Sequence, residues 1–132
     1  MKAIIRMCMP WLVGLSPMAA HAADWNCRNT DMEIRCDSGR CQASPEGGFT
    51  PFDVTIGDEG RRLSVCAYSG CWEGKARRLA SGRHVLVSGR DLAWNGTTPG
   101  KADFIVGLDT ADGLGFVQGE GFAMPMSCVR GD

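Results

Sequence analysis

Two pairs of cysteines with the same spacing are the residues of this sequence best suited to chemistry. "CDSGRC" (36–41) and "CAYSGCWEG" (66–74) each hold two cysteines separated by four residues that include a Ser-Gly. Four thiolates could bind a zinc ion, a reactive thiol pair could serve a redox enzyme, and two disulfides could bridge neighbouring strands. The compartment in which the chain folds decides between these three uses.

The first 22 residues have the pattern of an export signal. Lys2 and Arg6 give a positive start, an apolar stretch follows, and "AHA" (20–22) offers the small residues that a signal peptidase reads. We therefore expect residues 1–22 to be a signal peptide, residues 23–132 to form a single β domain, and the protein to be periplasmic or secreted. The mature chain has no second apolar run of membrane length, so we expect no membrane insertion.

Export favours disulfides over the other uses of the cysteines. Cleavage removes Cys8 and leaves six cysteines, an even number in a compartment that oxidises thiols. Redox dithiols use a C-x-x-C motif at the start of a helix, and no such helix is predicted here. A zinc site formed by Cys36, Cys41, Cys66 and Cys71 is the sharpest alternative, but we expect no metal and no cofactor.

The elements that must position these cysteines are short strands. Apolar and polar residues alternate between closely spaced turn signals, and glycine is abundant, as in tight turns and bulges. This pattern predicts an all-β fold, either a small antiparallel meander barrel or a barrel-like sandwich, with about seven or eight strands. We favour the barrel because closure removes exposed sheet edges. The predicted strands cover 32–36, 52–56, 62–68, 84–89, 91–94, 104–108 and 114–119.

The strand pattern suggests which cysteines pair. If 62–68 forms a hairpin with the segment after it, Cys66 faces Cys71 on the wetter face of the sheet, and Cys36–Cys41 repeats that geometry. Cys27 and Cys128 are then left to join the two ends of the domain. Six cysteines allow fifteen connectivities, of which we favour this one. By loop entropy, a bond closing about six residues is worth about 2 kcal/mol and one closing about a hundred residues about 4.7 kcal/mol.

Charge and composition argue against several classes of function. Without Lys2 and Arg6, twelve basic residues stand against fifteen acidic ones, which gives a net charge of −3. The run "KARR" (75–78) has acidic neighbours, so we expect no binding to nucleic acid. His84 is the only histidine of the mature chain, and the acidic residues show no paired spacing. We therefore expect no catalytic residues and no enzymatic activity.

The aromatic residues allow two interpretations. Trp25, Trp72 and Trp94 lie near predicted turns or strand ends, where they could close the barrel and fill its core. Alternatively, Tyr68 and Trp72, together with Ser69 and Gly70, form a binding surface at the bridged loop. A disulfide-locked loop loses little conformational entropy on binding and so suits recognition.

Short motifs at both ends and in this loop resemble a known family. "WNC" (25–27), "SC" (127–128) and "SGCW" (69–72) resemble the frame and the inhibitory loop of the small bacterial inhibitors of C-type lysozyme. The resemblance implies an antiparallel barrel, a bond between the terminal cysteines, and a loop whose Ser69 approaches the acidic cleft of the target. The aromatic Trp72 is one residue nearer to the Ser-Gly than in that family, four cysteines are additional, and the flanking strands differ. More generally, the chain resembles small exported β domains of Gram-negative bacteria.

From these features we expect an exported, non-catalytic binding protein, with a hydrolase (lysozyme-type) inhibitor as the specific form. The expected partner is a protein of the cell envelope, and the chain is expected to be a monomer. The alternative is a structural or envelope-associated interaction module without inhibitory activity, and a zinc-binding protein is the least favoured reading. The expected binding residues are Tyr68, Ser69, Gly70 and Trp72.

Overall fold

A computed structural model describes residues 24–132, which form ten strands in one antiparallel sheet. The expected signal peptide, residues 1–22, lies outside the described residues. The strands are β1 (Trp25–Arg28), β2 (Met32–Asp37), β3 (Arg40–Pro45), β4 (Asp53–Gly57), β5 (Arg62–Ala67), β6 (Gly70–Ser81), β7 (His84–Trp94), β8 (Lys101–Asp109), β9 (Leu114–Gly119) and β10 (Phe122–Arg130). A short 3₁₀ turn, Asp58–Gly60, connects β4 to β5.

Eight of the strands close into a barrel. β4 to β10 follow one another as an antiparallel meander, and β1 pairs with both β4 and β10, which closes the circle. The predicted all-β barrel is therefore confirmed, and the sandwich alternative is not what the chain forms. Closure leaves most strands with two hydrogen-bonded neighbours.

The structure has ten strands rather than seven or eight, and two of them, β2 and β3, form a hairpin outside the barrel. β2 and β3 pair along their whole length, and the hairpin joins the barrel where Arg35 of β2 lies opposite Phe122 of β10. The backbone N–H of Cys36 donates to the carbonyl of Gly121 at 2.6 Å. No residue of this hairpin is fully buried, so it adds little to the core.

Period-two alternation places the core as expected in the best-patterned strands. Val54 and Ile56 of β4, and Leu63 and Val65 of β5, are at most 2% exposed. The one buried polar side chain of the described chain, Asn29, is satisfied: its Oδ1 accepts a hydrogen bond from the Phe52 N–H at 2.5 Å, and its Nδ2 donates to the Met32 carbonyl. Hydrogen bonding of this kind is what makes burial of an amide tolerable.

The structure adds β1, β3 and β10 to the expected strands and merges two of the expected strands into one. Segments 84–89 and 91–94 are one strand, β7, which carries one extra residue relative to both of its neighbours between Gly89 and Leu92. β10 was not expected, because Pro125 interrupts its sequence pattern and its inward residues include two methionines rather than β-branched residues. Its inward positions nevertheless alternate as in the other strands, with Met124 and Met126 buried.

Three disulfides join the cysteine pairs that the sequence suggested. Cys27–Cys128 connects β1 to β10 with both residues buried, whereas Cys36–Cys41 and Cys66–Cys71 bridge their hairpins on the outer surface. The four cysteines of the alternative zinc site are thus bonded in pairs. Disulfides are typical of proteins in oxidising compartments. Among residues 24–132, no helix is long and apolar enough to cross a membrane.

Candidate functional site

The turn between β5 and β6 is shorter than the four-residue loop inferred from the cysteine spacing. Ala67 lies opposite Gly70, so only Tyr68 and Ser69 form the turn, and the Cys66–Cys71 disulfide lies directly behind them. We call Tyr68, Ser69 and this disulfide the bridged tip. The paired residues Ala67 and Gly70 and the Cys66–Cys71 disulfide join the two strands immediately before the turn. They restrict the motion of the bridged tip.

Tyr68 is both exposed and held in an uncommon backbone conformation. Its φ angle is 59° and 66% of the residue is accessible to solvent. Two-residue hairpin turns require positive φ at their first central position, where glycine, asparagine and aspartate are the usual residues. A bulky residue there costs about 1–3 kcal/mol, and such strain is concentrated at functional sites. The tip thus presents an aromatic ring where stability alone favours glycine.

The residues that follow the tip are packed rather than exposed. A Cβ added at Gly70 would lie 2.5 Å from Cζ2 of Trp94, so the Trp94 ring lies directly against the Gly70 backbone. The ring of Trp72 packs against Trp94 and Phe104, with centroids 4.4 and 5.2 Å apart. Of the four residues expected at the site, Tyr68 and Ser69 are exposed, whereas Gly70 and Trp72 form the support beneath them.

Asn95 fixes the base of the hairpin and was not among the residues expected at the site. Its Oδ1 accepts a hydrogen bond from the Cys71 N–H at 2.7 Å, and its own N–H donates to the Cys71 carbonyl at 2.9 Å. These two bonds tie the start of β6 to the segment that follows β7. The aromatic support and Asn95 together give the tip a rigid foundation, as recognition loops require.

A recess of about 240 Å³ lies beside the Tyr68 side chain. Arg28 and Asp53 line it and form an ion pair with each other at 2.5 Å, and both side chains are about half exposed. An exposed pair of this kind contributes little to stability. Because the two charges neutralise each other, the surface around the tip suits a contact led by the aromatic ring.

The single histidine of the described chain belongs to a second polar group, at the other end of β6. His84 Nε2 lies 3.5 Å from Asp109 Oδ2, and the same carboxylate accepts a hydrogen bond from Arg83 Nε at 2.6 Å. The hydrogen bond from Arg83 is the main cause that lowers the pKa of Asp109. The backbone of Arg83 also receives hydrogen bonds from Thr110. This group connects the turn after β6 to the turn after β8.

Within residues 24–132, no group of three or more histidine, cysteine, aspartate or glutamate side chains could hold a metal ion. Comparison with known proteins adds no relative: no family model, no curated protein and no solved structure matches the chain.

Proposed function

We propose that this chain is an exported, non-catalytic binding protein that contacts a partner protein through the bridged tip. The observation that carries the proposal is Tyr68, an exposed aromatic side chain at a positive φ in a disulfide-bridged turn. Tyrosine is one of the residues most enriched at binding hot spots. Because the turn is already rigid, little conformational entropy is lost when the partner binds.

The support beneath the tip is consistent with this role. Trp72, Trp94 and Asn95 hold the base of the hairpin, so the backbone that carries Tyr68 is fixed before the partner arrives. The three disulfides fit folding in an oxidising compartment, which is where the proposed partner would be met. In its specific form, the proposal is that the tip enters the active-site cleft of a lysozyme-type hydrolase.

Binding and inhibition of C-type lysozymes test the specific form directly. We expect micromolar protein to inhibit at least one such lysozyme, and Tyr68→Gly to weaken binding at least about tenfold because it removes an anchoring ring. Calorimetric titration and a cell-wall lysis assay give the two measurements. Tyr68→Phe separates the phenol hydroxyl from the ring, since it keeps the apolar contact.

Ser38→Gly is the matched control, because Ser38 also has a positive φ in a two-residue turn behind a disulfide. It should leave binding unchanged. If no lysozyme is inhibited, the inhibitor form is wrong. The broader form is then tested by a photo-crosslinker placed at position 68 and, separately, at position 38 in envelope extract. A partner captured equally from both positions, or from neither, would count against the bridged tip as the contact.

A further inference from the structure

Four cations line one concave surface beside β6 and β7, away from the bridged tip. Lys75, Arg77 and Arg78 of β6 and Arg90 of β7 line a groove of about 400 Å³, and all four residues are exposed. The remaining lining residues are uncharged. We call these four residues the basic groove.

The bulge in β7 helps to assemble the basic groove. The extra residue lies between Gly89 and Leu92, where Asp91 has a φ of 53°. The Asp91 N–H donates a hydrogen bond to Oδ1 of Asp103 at 2.7 Å, which holds the irregular segment in place. Bulges change the direction in which side chains project, and this one lies at the position of Arg90.

The acidic neighbours expected to offset "KARR" do not line the groove. Glu73 accepts a hydrogen bond from Ser64 instead, and no ion pair within the described chain includes any of the four cations. Glu73 shares the outward face of β6 with Lys75 and Arg77, because residues two apart in a strand point to the same side, but it forms no ion pair with either of them. A groove lined by four cations and by no acidic residue attracts an anionic partner.

The same stretch of β6 is a free sheet edge. β5 pairs with β6 only as far as Lys75, and the Ala76 N–H donates the next bond to the Arg61 carbonyl. From Arg77 to Ser81, the described residues that pair with β6 belong to β7 alone, and all five positions are exposed. Unpaired backbone groups on an edge strand are a template for one more strand.

Space for an added strand lies beside this edge. A cavity of about 580 Å³ at the barrel mouth reaches from Arg78 to the apolar side chains of Trp25, Ile56 and Val85. Its other lining residues are mostly polar or charged: Asp24, Glu59, Gly60, Thr110, Arg130 and Gly131. The Arg78 side chain packs over buried Gly60, where an added Cβ would lie 2.5 Å from Arg78 Cδ. In an added strand, side chains of one face would enter this cavity while those of the other face would meet Arg77 and Lys75.

We propose that the edge Arg77–Ser81 binds an acidic peptide in extended conformation, which adds to the sheet as a strand. Backbone hydrogen bonds to the edge supply affinity, and carboxylates on the outer face of the peptide meet the basic groove. Apolar residues alternate with these carboxylates and face the barrel mouth. The edge and the bridged tip occupy different halves of β6, so this inference does not depend on the proposed function of the tip.

Charge selects this occupant over a second copy of the chain. Edge-to-edge pairing of two copies would bring two uncompensated basic grooves together, and like charges at an interface oppose association. A single-stranded nucleic acid matches the charge, but it offers no backbone amides to pair with the edge.

A fluorescent, capped peptide in which Glu and Val alternate is the probe, measured by anisotropy with the full mature chain. We expect binding that weakens as salt is raised, and slower hydrogen exchange of the amides in Arg77–Ser81 when the peptide is bound. Two N-methylated versions of the peptide are compared, one methylated at every Glu and the other at every Val. Only the version whose free N–H groups face the β6 edge should bind. A peptide of equal composition with its Glu and Val in separate blocks should bind poorly.

Two double variants with the same change in net charge test the groove. Arg77→Glu/Arg90→Glu should weaken peptide binding about tenfold, since two attractions become repulsions. Arg40→Glu/Lys101→Glu, at exposed positions elsewhere, should have little effect. Circular dichroism and a urea unfolding curve of each variant establish that it is folded.

The proposal is overturned if both N-methylated peptides bind equally, or if the block peptide matches the alternating one, because binding is then electrostatic only. Tighter binding of a single-stranded oligonucleotide than of the peptide would assign the groove to nucleic acid instead. A concentration-dependent dimer whose formation protects the same amides would assign the edge to a second copy.

Discussion

At the scale of single residues, position 68 carries a tyrosine where glycine would make the turn more stable. Tyr68 and Ser38 both have positive φ in bridged two-residue turns, but only Ser38 is followed by a glycine that also has positive φ. Asparagine, aspartate and glycine relieve such positions at low cost, and tyrosine does not. The stability of the turn does not explain the tyrosine at position 68, which is consistent with the contact role proposed for it.

Tyr68→Gly should leave the free energy of unfolding unchanged or raise it by about 1 kcal/mol. Relief of the positive φ outweighs the larger entropy that glycine has in the unfolded chain. Urea unfolding without reductant measures the change, with Ser38→Gly as the matched variant. A clear loss of stability would show that the Tyr68 ring supports the fold, and the argument for a contact role would fail.

Gly70→Ala should destabilise the protein by about 1–3 kcal/mol, because the new methyl group overlaps the Trp94 ring. Gly57→Ala is the control, since nothing lies within 4 Å of its Cβ position and its φ is not positive. That change should stay within about 0.5 kcal/mol. Tryptophan fluorescence should report the Trp94 displacement, and equal stability of the two variants would contradict the packing described.

At the scale of elements, ion pairs connect two turns at one end of the barrel. Arg83, in the turn between β6 and β7, forms ion pairs with Asp109 and Asp112 at the turn between β8 and β9. The hydrogen bond from Arg83 lowers the pKa of Asp109 below its ordinary value of 3.8. These contacts hold the turn between β6 and β7 against the turn between β8 and β9. They thereby help to keep the adjacent free edge, Arg77–Ser81, in position.

Asp109→Asn should lower the free energy of unfolding at pH 7. Because the pKa of Asp109 is depressed in the folded state, its stabilising effect is complete above the ordinary value of 3.8. The effect is then lost as the pH falls through the lower, folded-state pKa. Urea unfolding at a series of pH values should show the difference from the parent protein shrinking below pH 3.8. A difference that stays constant across this range would contradict the assignment.

At the scale of the whole molecule, a single disulfide connects the first and the last strand of the barrel. Cys27 and Cys128 are 101 residues apart in sequence and lie opposite each other in β1 and β10. The other two disulfides each span only five residues, within their own hairpins. The terminal bond therefore constrains the unfolded chain far more than the hairpin bonds do.

Cys27→Ala/Cys128→Ala should lower the free energy of unfolding by about 4.7 kcal/mol, and Cys36→Ala/Cys41→Ala by about 2 kcal/mol. The buried position of the first pair adds a packing loss to the entropic one. Denaturant unfolding of the two double variants gives the comparison. Equal losses would show that closure of the barrel does not depend on the terminal bond.

The sequence predicted those parts of the fold and of the site that depend on near neighbours. Alternation in 52–56 and 62–68 gives the inward faces, because successive residues of a strand point to opposite sides. The spacing of Cys66 and Cys71 gives a bridged hairpin for the same local reason. The sequence also pointed to Tyr68 and Ser69, although the turn proved to be two residues long and Trp72 proved to be support.

Only the tertiary structure decided which distant residues meet. Closure by β1 between β4 and β10, the Trp94 ring against Gly70, and the collection of Arg90 with the cations of β6 depend on register across strands. A shift of one residue would send each of these side chains to the other face, and no local pattern specifies such a register. The local sequence pattern thus determined the strands and the two hairpin disulfides. The pairing of distant strands determined which residues meet on the surface.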